Sequence, residues 1–167
     1  MDSSFSLEKA KQEKLFYVVV TGVIYRADDS RCLILKRSEQ EITHGGKWGV
    51  VGGKLEWKDL LSKPPTRMNG DVLDWEHEIE SLLRREAKEE ANVEVDDFRY
   101  LDSVAFRRPD AVPVMCLKFA CRYVSGEVRI PSEFSEFAWV NADEARTRDC
   151  IMGIPEEVAS TIEIFQS

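Results

Sequence analysis

Apolar and polar stretches alternate along the chain in an order that predicts strands first, then a long helix, further strands and closing helices. The stretch LFYVVVTGVIYR (15–26) is rich in β-branched and aromatic residues and predicts a strand buried on both faces. The predicted strands are 15–26, 32–37, 48–51, 93–95, 98–106, 112–124 and 137–140. The predicted helices are 4–14 (capped by Ser3 or Ser4), about 75–91, 142–148 (capped by Asn141) and one from Pro155. This order predicts an α/β fold, a mixed sheet covered by helices on both faces.

The predicted central helix has an apolar stripe and an acidic face. The stripe consists of apolar residues at three- and four-residue spacing, namely Ile79, Leu82, Leu83 and Ala87. Glu86, Glu89 and Glu90 stand at positions i, i+3 and i+4, so their carboxylates project from neighbouring parts of one face. Asn92 follows where the helix is predicted to end, because asparagine tolerates the left-handed backbone of a helix terminus.

Carboxylates gathered on one helical face suit a hard divalent cation. Mg²⁺ prefers carboxylate oxygen and retains waters, which leaves room for substrate phosphates. Two such ions about 4 Å apart could clamp the attacking and leaving oxygens of a displacement at phosphorus. Arg85 lies four residues before Glu89 and is predicted to hold its carboxylate by a charge-assisted hydrogen bond. The alternative is a solvated acidic face balanced by Arg84, Arg85 and Lys88.

A glycine pair offers a second half to such a site. Gly52 and Gly53 follow the strand predicted at 48–51 and let the backbone approach a ligand closely. A carbonyl or an amide there could contact a metal or a phosphate, although a plain turn is the alternative for the glycines taken alone. The next residues, 57–74, contain Pro-Pro and Asn-Gly pairs and are predicted to be irregular.

The amino-acid composition limits the kinds of molecule that the protein is expected to bind. The formal charge of −8 argues against binding duplex nucleic acid through a basic face, whereas an anionic small molecule is compatible through a bound cation. The polar start does not resemble a signal peptide, and no apolar run is long enough to span a membrane. The four cysteines have no metal-type spacing, which predicts reduced thiols in a cytoplasmic protein.

The glycine pair and the acidic helix together resemble the Nudix box of the Nudix hydrolases. In that pattern a glycine, five residues, a glutamate and seven residues precede Arg-Glu-apolar-x-Glu-Glu-x-Gly-apolar. Gly53 fills the first position, and Arg85 to Val93 fill the second half with Asn92 in place of the final glycine. The family places its arginine 14 residues after the glycine, whereas here the separation is 32, so 18 extra residues split the box in its loop.

The split box leaves two places for its first glutamate. Counting forward from the glycine reaches Asp59, and counting back from Arg85 reaches His77, with Glu76 and Glu78 beside it. Histidine is a poor ligand for Mg²⁺, which favours oxygen. An insertion in a loop is thermodynamically tolerable and leaves the acidic helix whole.

The resemblance covers roughly residues 15–147, from CLILKR before the glycine pair to SEFAWVNADEA at 135–145. It implies a Nudix-type α/β/α sandwich with the metal-binding helix on one face of a mixed sheet. We therefore expect one domain over 1–167, with an N-terminal extension at 1–14 and an insertion at 57–74. The insertion could cover the pocket, shape specificity or form a homodimer contact.

The resemblance also implies an activity, the Mg²⁺- or Mn²⁺-dependent cleavage of a phosphoanhydride. The implied metal ligands are the side chains of Glu86, Glu89 and Glu90 and the carbonyl of Gly53. Arg85 would orient a ligand carboxylate. The general base that activates water is open between Glu86, Glu133 and Glu136, and Glu136 is the preferred loop residue because of its spacing to Trp139.

Substrate contacts follow from the same resemblance. Arg37 and Lys54 would contact phosphate, with a solvent-facing strand end or turn as the alternative for each. The aromatic residues that could stack on a base, or else belong to the core, are Tyr17, Trp48 and Phe134.

For the substrate, Pro109 stands sixteen residues beyond the box, a position where proline is associated with ADP-ribose hydrolases of the family. The expected substrate is a nucleoside diphosphate linked to another moiety, with ADP-ribose first among the nucleotide sugars. The alternatives are a (d)NTP pyrophosphohydrolase and a catalytically weak nucleotide-binding regulatory module.

Overall fold

The computed structural model describes residues 5–167. Its strands are β1 (Tyr17–Arg26), β2 (Arg31–Arg37), β3 (Trp48–Gly49), β4 (Val51–Leu55), β5 (Arg67–Asn69), β6 (Val72–Asp74), β7 (Glu94–Arg107), β8 (Pro113–Ser125) and β9 (Phe134–Val140). Its α-helices are α1 (Trp57–Leu61), α2 (Glu78–Ala91), α3 (Ala142–Arg146) and α4 (Ile154–Gln166). Within these residues no helix is both long and apolar enough to cross a membrane.

Seven strands form one mixed sheet in the order β3-β2-β1-β8-β7, with β4 paired to β1 and β9 paired to β2. The β1–β8 pair is parallel, whereas β4 and β2 run antiparallel to β1 and contact successive halves of it. The two short strands β5 and β6 form a separate hairpin within the insertion. This arrangement confirms the predicted α/β fold with a mixed sheet.

Side chains alternate between the two faces of the sheet and form a core on each. On one face Leu33, Leu35 and Val51 pack against Ala87 and Ala91 of α2. On the other face a second cluster packs against α4 and contains Val23, Ile34, Ala138, Val140, Ile154 and Val158. The sheet is therefore covered by α2 on one side and α4 on the other, as the predicted sandwich requires.

Two predicted helix ends are confirmed. Asn92 ends α2 with a left-handed backbone at φ 57°, which lets its N–H bond to carbonyls of the last turn. Asn141 begins α3 with a capping box, in which its side chain accepts from the Glu144 N–H and the Glu144 side chain accepts from the Asn141 N–H.

Four local predictions are wrong, each for a physical reason. In the described part of the predicted helix 4–14, only Gln12–Lys14 forms a helical turn, because this segment has no buried face to stabilise it. The proposed caps Ser3 and Ser4 lie outside the described residues. The strands predicted at 93–95 and 98–106 are one strand, β7, which continues through a bulge between Asp96 and Arg99. The strand predicted at 48–51 divides into β3 and β4, and the supposedly irregular stretch contains α1 and the β5–β6 hairpin.

The four cysteines are unpaired thiols, with Cys32, Cys116 and Cys121 buried and Cys150 half-buried. Burial raises the pKa of the Cys121 thiol to about 12, so it stays protonated and inert at neutral pH.

Candidate metal centre

The glycine pair lies inside β4, where it faces α2 rather than ending a strand. Gly53 pairs with Val20 and Gly52 with Thr21 of β1. A Cβ built on Gly53 would lie 2.2 Å from Oε1 of Glu86 and 2.5 Å from its Cδ. The Glu86 carboxylate thus occupies the space that a side chain at Gly53 would need, so glycine is required here by the acidic helix and not by a turn.

The second glycine supports a second carboxylate. The backbone N–H of Gly52 donates a hydrogen bond of 3.0 Å to Oε2 of Glu90. The pair of glycines in β4 therefore seats the pair of carboxylates at Glu86 and Glu90. Sequence reasoning assigned these backbone groups to a metal or phosphate and missed the amide contact to Glu90, although a glycine pair opposite an acidic helix was the available signal.

The electric environment of these carboxylates favours a cation. The pKa of Glu90 is raised to about 8, chiefly by burial and also by the like charges of Glu86 and Glu89, while the Gly52 N–H and Arg37 act in the opposite direction. Burial also raises the pKa of Glu86, against the lowering effect of Arg85. Negative charge at this site is thus incompletely compensated by the protein itself.

Arg85 connects the acidic helix to the start of the insertion. Its Nη2 donates to Oε1 of Glu86 at 3.3 Å, and its Nη1 donates to Oδ2 of Asp59 on α1 at 3.2 Å. The arginine therefore contacts the carboxylate of Glu86, and the predicted partner Glu89 is wrong. The cause is direction, since Arg85 points toward α1 rather than along α2.

The contact between Arg85 and Asp59 also bears on which residue takes the place of the first glutamate of the split box. Asp59 reaches Arg85, whereas the other candidates are engaged within the insertion or exposed. Glu76 pairs with Arg67 at 3.1 Å, Glu78 pairs with Lys63, and the side chain of His77 is 81% exposed. Of the four positions, only Asp59 pairs with Arg85, the neighbour of the Glu86 carboxylate.

The predicted ligand set lies on one helical face but is not closed around a point. Within residues 5–167 no group of three or more acidic, histidine or cysteine side chains is gathered closely enough to hold a metal ion. Glu86 and Glu90 rest on β4, while Glu89 is exposed. Three carboxylates within five residues of one helix, with incompletely compensated charge, still fit a hard divalent cation by the chemistry of their oxygen donors.

A comparison with known families decides the assignment. The family model of the NUDIX domain matches residues 16–155, which is most of the chain. The chain belongs to the Nudix hydrolase family. As a Nudix enzyme it is a pyrophosphohydrolase, and members of this family typically depend on a divalent metal.

Individual relatives are distant. The nucleoside triphosphatase NudI of Escherichia coli is 25% identical over 127 residues, which cover 70% of this chain and 77% of NudI. The MutT protein of Methanosarcina mazei has the same fold, with a TM-score of 0.63, 21% identity and coverage of 94% and 100% of the two chains. The Nudix domain of Shewanella oneidensis NrtR, complexed with ADP ribose, has a TM-score of 0.68 at 15% identity and coverage of 95% and 96%.

Two aromatic residues expected to stack on a base belong to the core of this Nudix enzyme. Trp48 is 6% exposed and lies in the cluster beside α4, where the Arg148 guanidinium covers its ring at 4.4 Å. Phe134 is 8% exposed and packs in the cluster beside α2. Their burial does not support a stacking role, and the core alternative holds for both. Tyr17, by contrast, is 52% exposed.

The preferred loop base lies on the wrong face of the sheet. Glu136 stands opposite Lys36 in the β2–β9 register, and the two side chains form an ion pair at 2.9 Å. The pair two positions along this register, Ile34 and Ala138, belongs to the cluster beside α4. Because strand positions two apart share a face, Glu136 points away from α2. Glu133 is exposed just before β9, and its carbonyl accepts the N–H of Ser38.

The two predicted phosphate contacts differ in position. Lys54 is exposed on β4 between Gly53 and Leu55, so it projects to the face opposite α2. Arg37 lies close enough to lower the pKa of Glu90. Its guanidinium is already engaged, with Nη2 3.1 Å from Glu41 and Nε donating to the carbonyl of Thr43 at 2.8 Å.

Two concavities on the described part of the chain lie away from the carboxylates of the acidic helix. One concavity of about 590 Å³ lies between α3 and α4, and a second of about 320 Å³ lies in the insertion beside Trp75. Neither is lined by the carboxylates of α2. The chemistry and charge of the residues therefore identify the candidate site better than these two concavities do.

Proposed function

We propose that this enzyme hydrolyses the pyrophosphate bond of a nucleoside diphosphate linked to another moiety, with Mg²⁺ or Mn²⁺ held by α2. The ligands would be the carboxylates of Glu86, Glu89 and Glu90 together with the carbonyl of Gly53. The observation that carries this proposal is the seating of Glu86 and Glu90 on the glycine pair of β4. Burying two carboxylates of like charge against the same strand costs free energy unless a cation binds between them.

The residues of the site would divide the work. A bound divalent cation would withdraw charge from the phosphate oxygens and orient the scissile bond. Arg85 positions Glu86 through its hydrogen bond and is itself positioned by Asp59. We assign the general base to Glu86, because it lies at the seat on β4 and burial raises its pKa, which makes its carboxylate a stronger base. Glu86 would accept the proton of the water whose oxygen attacks phosphorus.

For the substrate we place ADP-ribose first among nucleotide sugars. Two observations support this choice, the position of Pro109 in the turn between β7 and β8 and the fold shared with a Nudix domain that binds ADP ribose. A (d)NTP substrate is the second candidate, supported by the similarity to a nucleoside triphosphatase over 70% of the chain. All three helix carboxylates are present, which favours catalysis over a regulatory module that only binds nucleotide.

A product assay on a substrate panel tests the proposal. ADP-ribose, other nucleotide sugars, dinucleoside polyphosphates and (d)NTPs would be incubated with Mg²⁺ or Mn²⁺ and the wild type, Glu90→Gln or Glu80→Gln. Glu80 is the matched control, since it lies on the same helix and pairs with His77 rather than with β4. Cleavage of a nucleotide sugar by the wild type and the control, but not by Glu90→Gln, is expected. Cleavage of (d)NTPs alone would select the second candidate, and binding without cleavage would select the regulatory module.

A further inference from the structure

The split box separates two groups that the site needs together. Asp59 lies on α1 at the start of the insertion and Arg85 lies on α2, so most of the insertion separates them in the chain. Helix α1 has five residues and buries none of them. A helix this short has no stability of its own, so α1 must be held by contacts from outside it.

An aromatic cluster formed by Phe5, Trp57 and Trp75 supplies such contacts. The Phe5 ring centroid lies 5.6 Å from that of Trp57 and 6.0 Å from that of Trp75, with the planes tilted by 39° and 36°. These distances are within the range at which aromatic rings attract each other. Trp57 is the first residue of α1, and Trp75 lies shortly before α2, so Phe5 contacts both ends of the insertion.

Two polar contacts close the insertion at the same place. The indole N–H of Trp75 donates to the carbonyl of Lys63 at 3.2 Å, and the ammonium of Lys63 pairs with Glu78 at the start of α2. Closing a loop of this length restricts the chain, and the contacts at its ends must offset that entropy. Phe5 is the member of this set that comes from the N-terminal segment, far from the insertion in the chain.

We propose that Phe5 is a positioning residue for the candidate metal centre. Its ring holds Trp57 and thereby α1, so that Asp59 meets Arg85 and Arg85 holds the Glu86 carboxylate over Gly53. The N-terminal segment thus restores a connection that the insertion interrupts. This inference rests on the proposed function, because it takes Glu86 as a metal ligand.

The test compares full-length variants by their dissociation constant for Mn²⁺, measured from the EPR signal of the free ion. Asp59→Asn is expected to weaken binding about tenfold, as loss of an outer-shell partner does, and Phe5→Ala about three- to tenfold. The double variant should resemble Asp59→Asn alone, since both changes act through one path. Phe5→Tyr should retain wild-type affinity. Leu7→Ala, on the same segment and 58% exposed, is the matched control and should also bind as the wild type does.

Unchanged Mn²⁺ affinity in Phe5→Ala would overturn the proposal, as would effects of Phe5→Ala and Asp59→Asn that multiply. If the wild type itself binds no Mn²⁺, the proposed function fails, and a second readout decides the positioning role separately. The NMR signal of the Arg85 Nη1–H group, which donates to Asp59, reports this contact directly. Movement of this signal in Phe5→Ala toward its place in Asp59→Asn would support the role, and an unmoved signal would exclude it.

Discussion

The Glu86 carboxylate lies over the Cα of Gly53, so close that a Cβ there would be 2.2 Å from Oε1. The two residues depend on each other, because the Glu86 side chain can lie there only while residue 53 has no side chain. A buried negative charge also gives the strand no stability by itself. The contact therefore makes each partner a test of the other.

Gly53→Ala is expected to displace the Glu86 carboxylate, because the added methyl group and the carboxylate cannot share this space. Since that carboxylate ends a flexible side chain that can move away, the free energy of unfolding should fall by only about 1 kcal/mol. The substitution should also weaken Mn²⁺ binding, since Glu86 must leave its seat. Urea denaturation and the Mn²⁺ dissociation constant would measure the two effects. Repeating the substitution in a Glu86→Ala background provides the control. There Gly53→Ala should have little effect on the free energy of unfolding, and an undiminished effect would show that the clash lies elsewhere.

The raised pKa of Glu90 predicts that the free energy of unfolding of the metal-free protein falls as the pH rises. Its folded-state pKa is raised to about 8 from the ordinary 4.5, so the folded state retains a proton that the unfolded state loses. The stability that this group contributes is therefore complete below pH 4.5 and is lost as pH rises toward 8. The loss is on the order of a few kcal/mol. Urea denaturation in EDTA between pH 5 and 8 would measure it, and Glu90→Gln should flatten the profile. Equal slopes for both proteins would refute the assignment to Glu90.

A bound divalent cation should stabilise the protein more as the pH rises, opposite to the pH dependence of the metal-free protein. A divalent cation binds the ionised carboxylates, so binding at lower pH must first displace the proton that Glu90 retains. The rise in thermal midpoint caused by Mn²⁺ is expected to be larger at pH 8 than at pH 6 in the wild type. Glu80→Gln should behave like the wild type, and Glu90→Gln should show a small shift at both pH values. A wild-type shift that is the same at both pH values would contradict the prediction.

The acidic helix and its cap could be predicted from sequence because both depend on neighbours three or four residues away. The spacing of Glu86, Glu89 and Glu90 determines a shared face, and Asn92 supplies its own left-handed backbone. The position of the glycine pair inside a strand was not predictable, because it depends on β4 pairing with β1 from a distant part of the chain.

The face of the sheet from which Glu136 and Lys54 project could not be predicted from the sequence, for a related reason. A shift of one residue in strand register moves a side chain to the other face, and the β2–β9 pairing contains an irregularity next to Lys36. Spacing to a nearby tryptophan carries no information about that register. The contact between Phe5 and the insertion was likewise hidden, since the aromatic cluster joins segments that are far apart in the chain.

The register yields a last prediction, about the general base. Glu136→Gln should leave kcat within about twofold of the wild type, because this side chain points away from α2 and forms only an exposed ion pair with Lys36. Glu86→Gln should lower kcat by about 10²–10⁴-fold, as removal of a general base does. Steady-state kinetics on the substrate selected by the panel would compare them, at saturating metal so that altered affinity does not intrude. A large loss in Glu136→Gln together with near-normal turnover in Glu86→Gln would reverse the assignment and require β9 to approach the acidic helix during turnover.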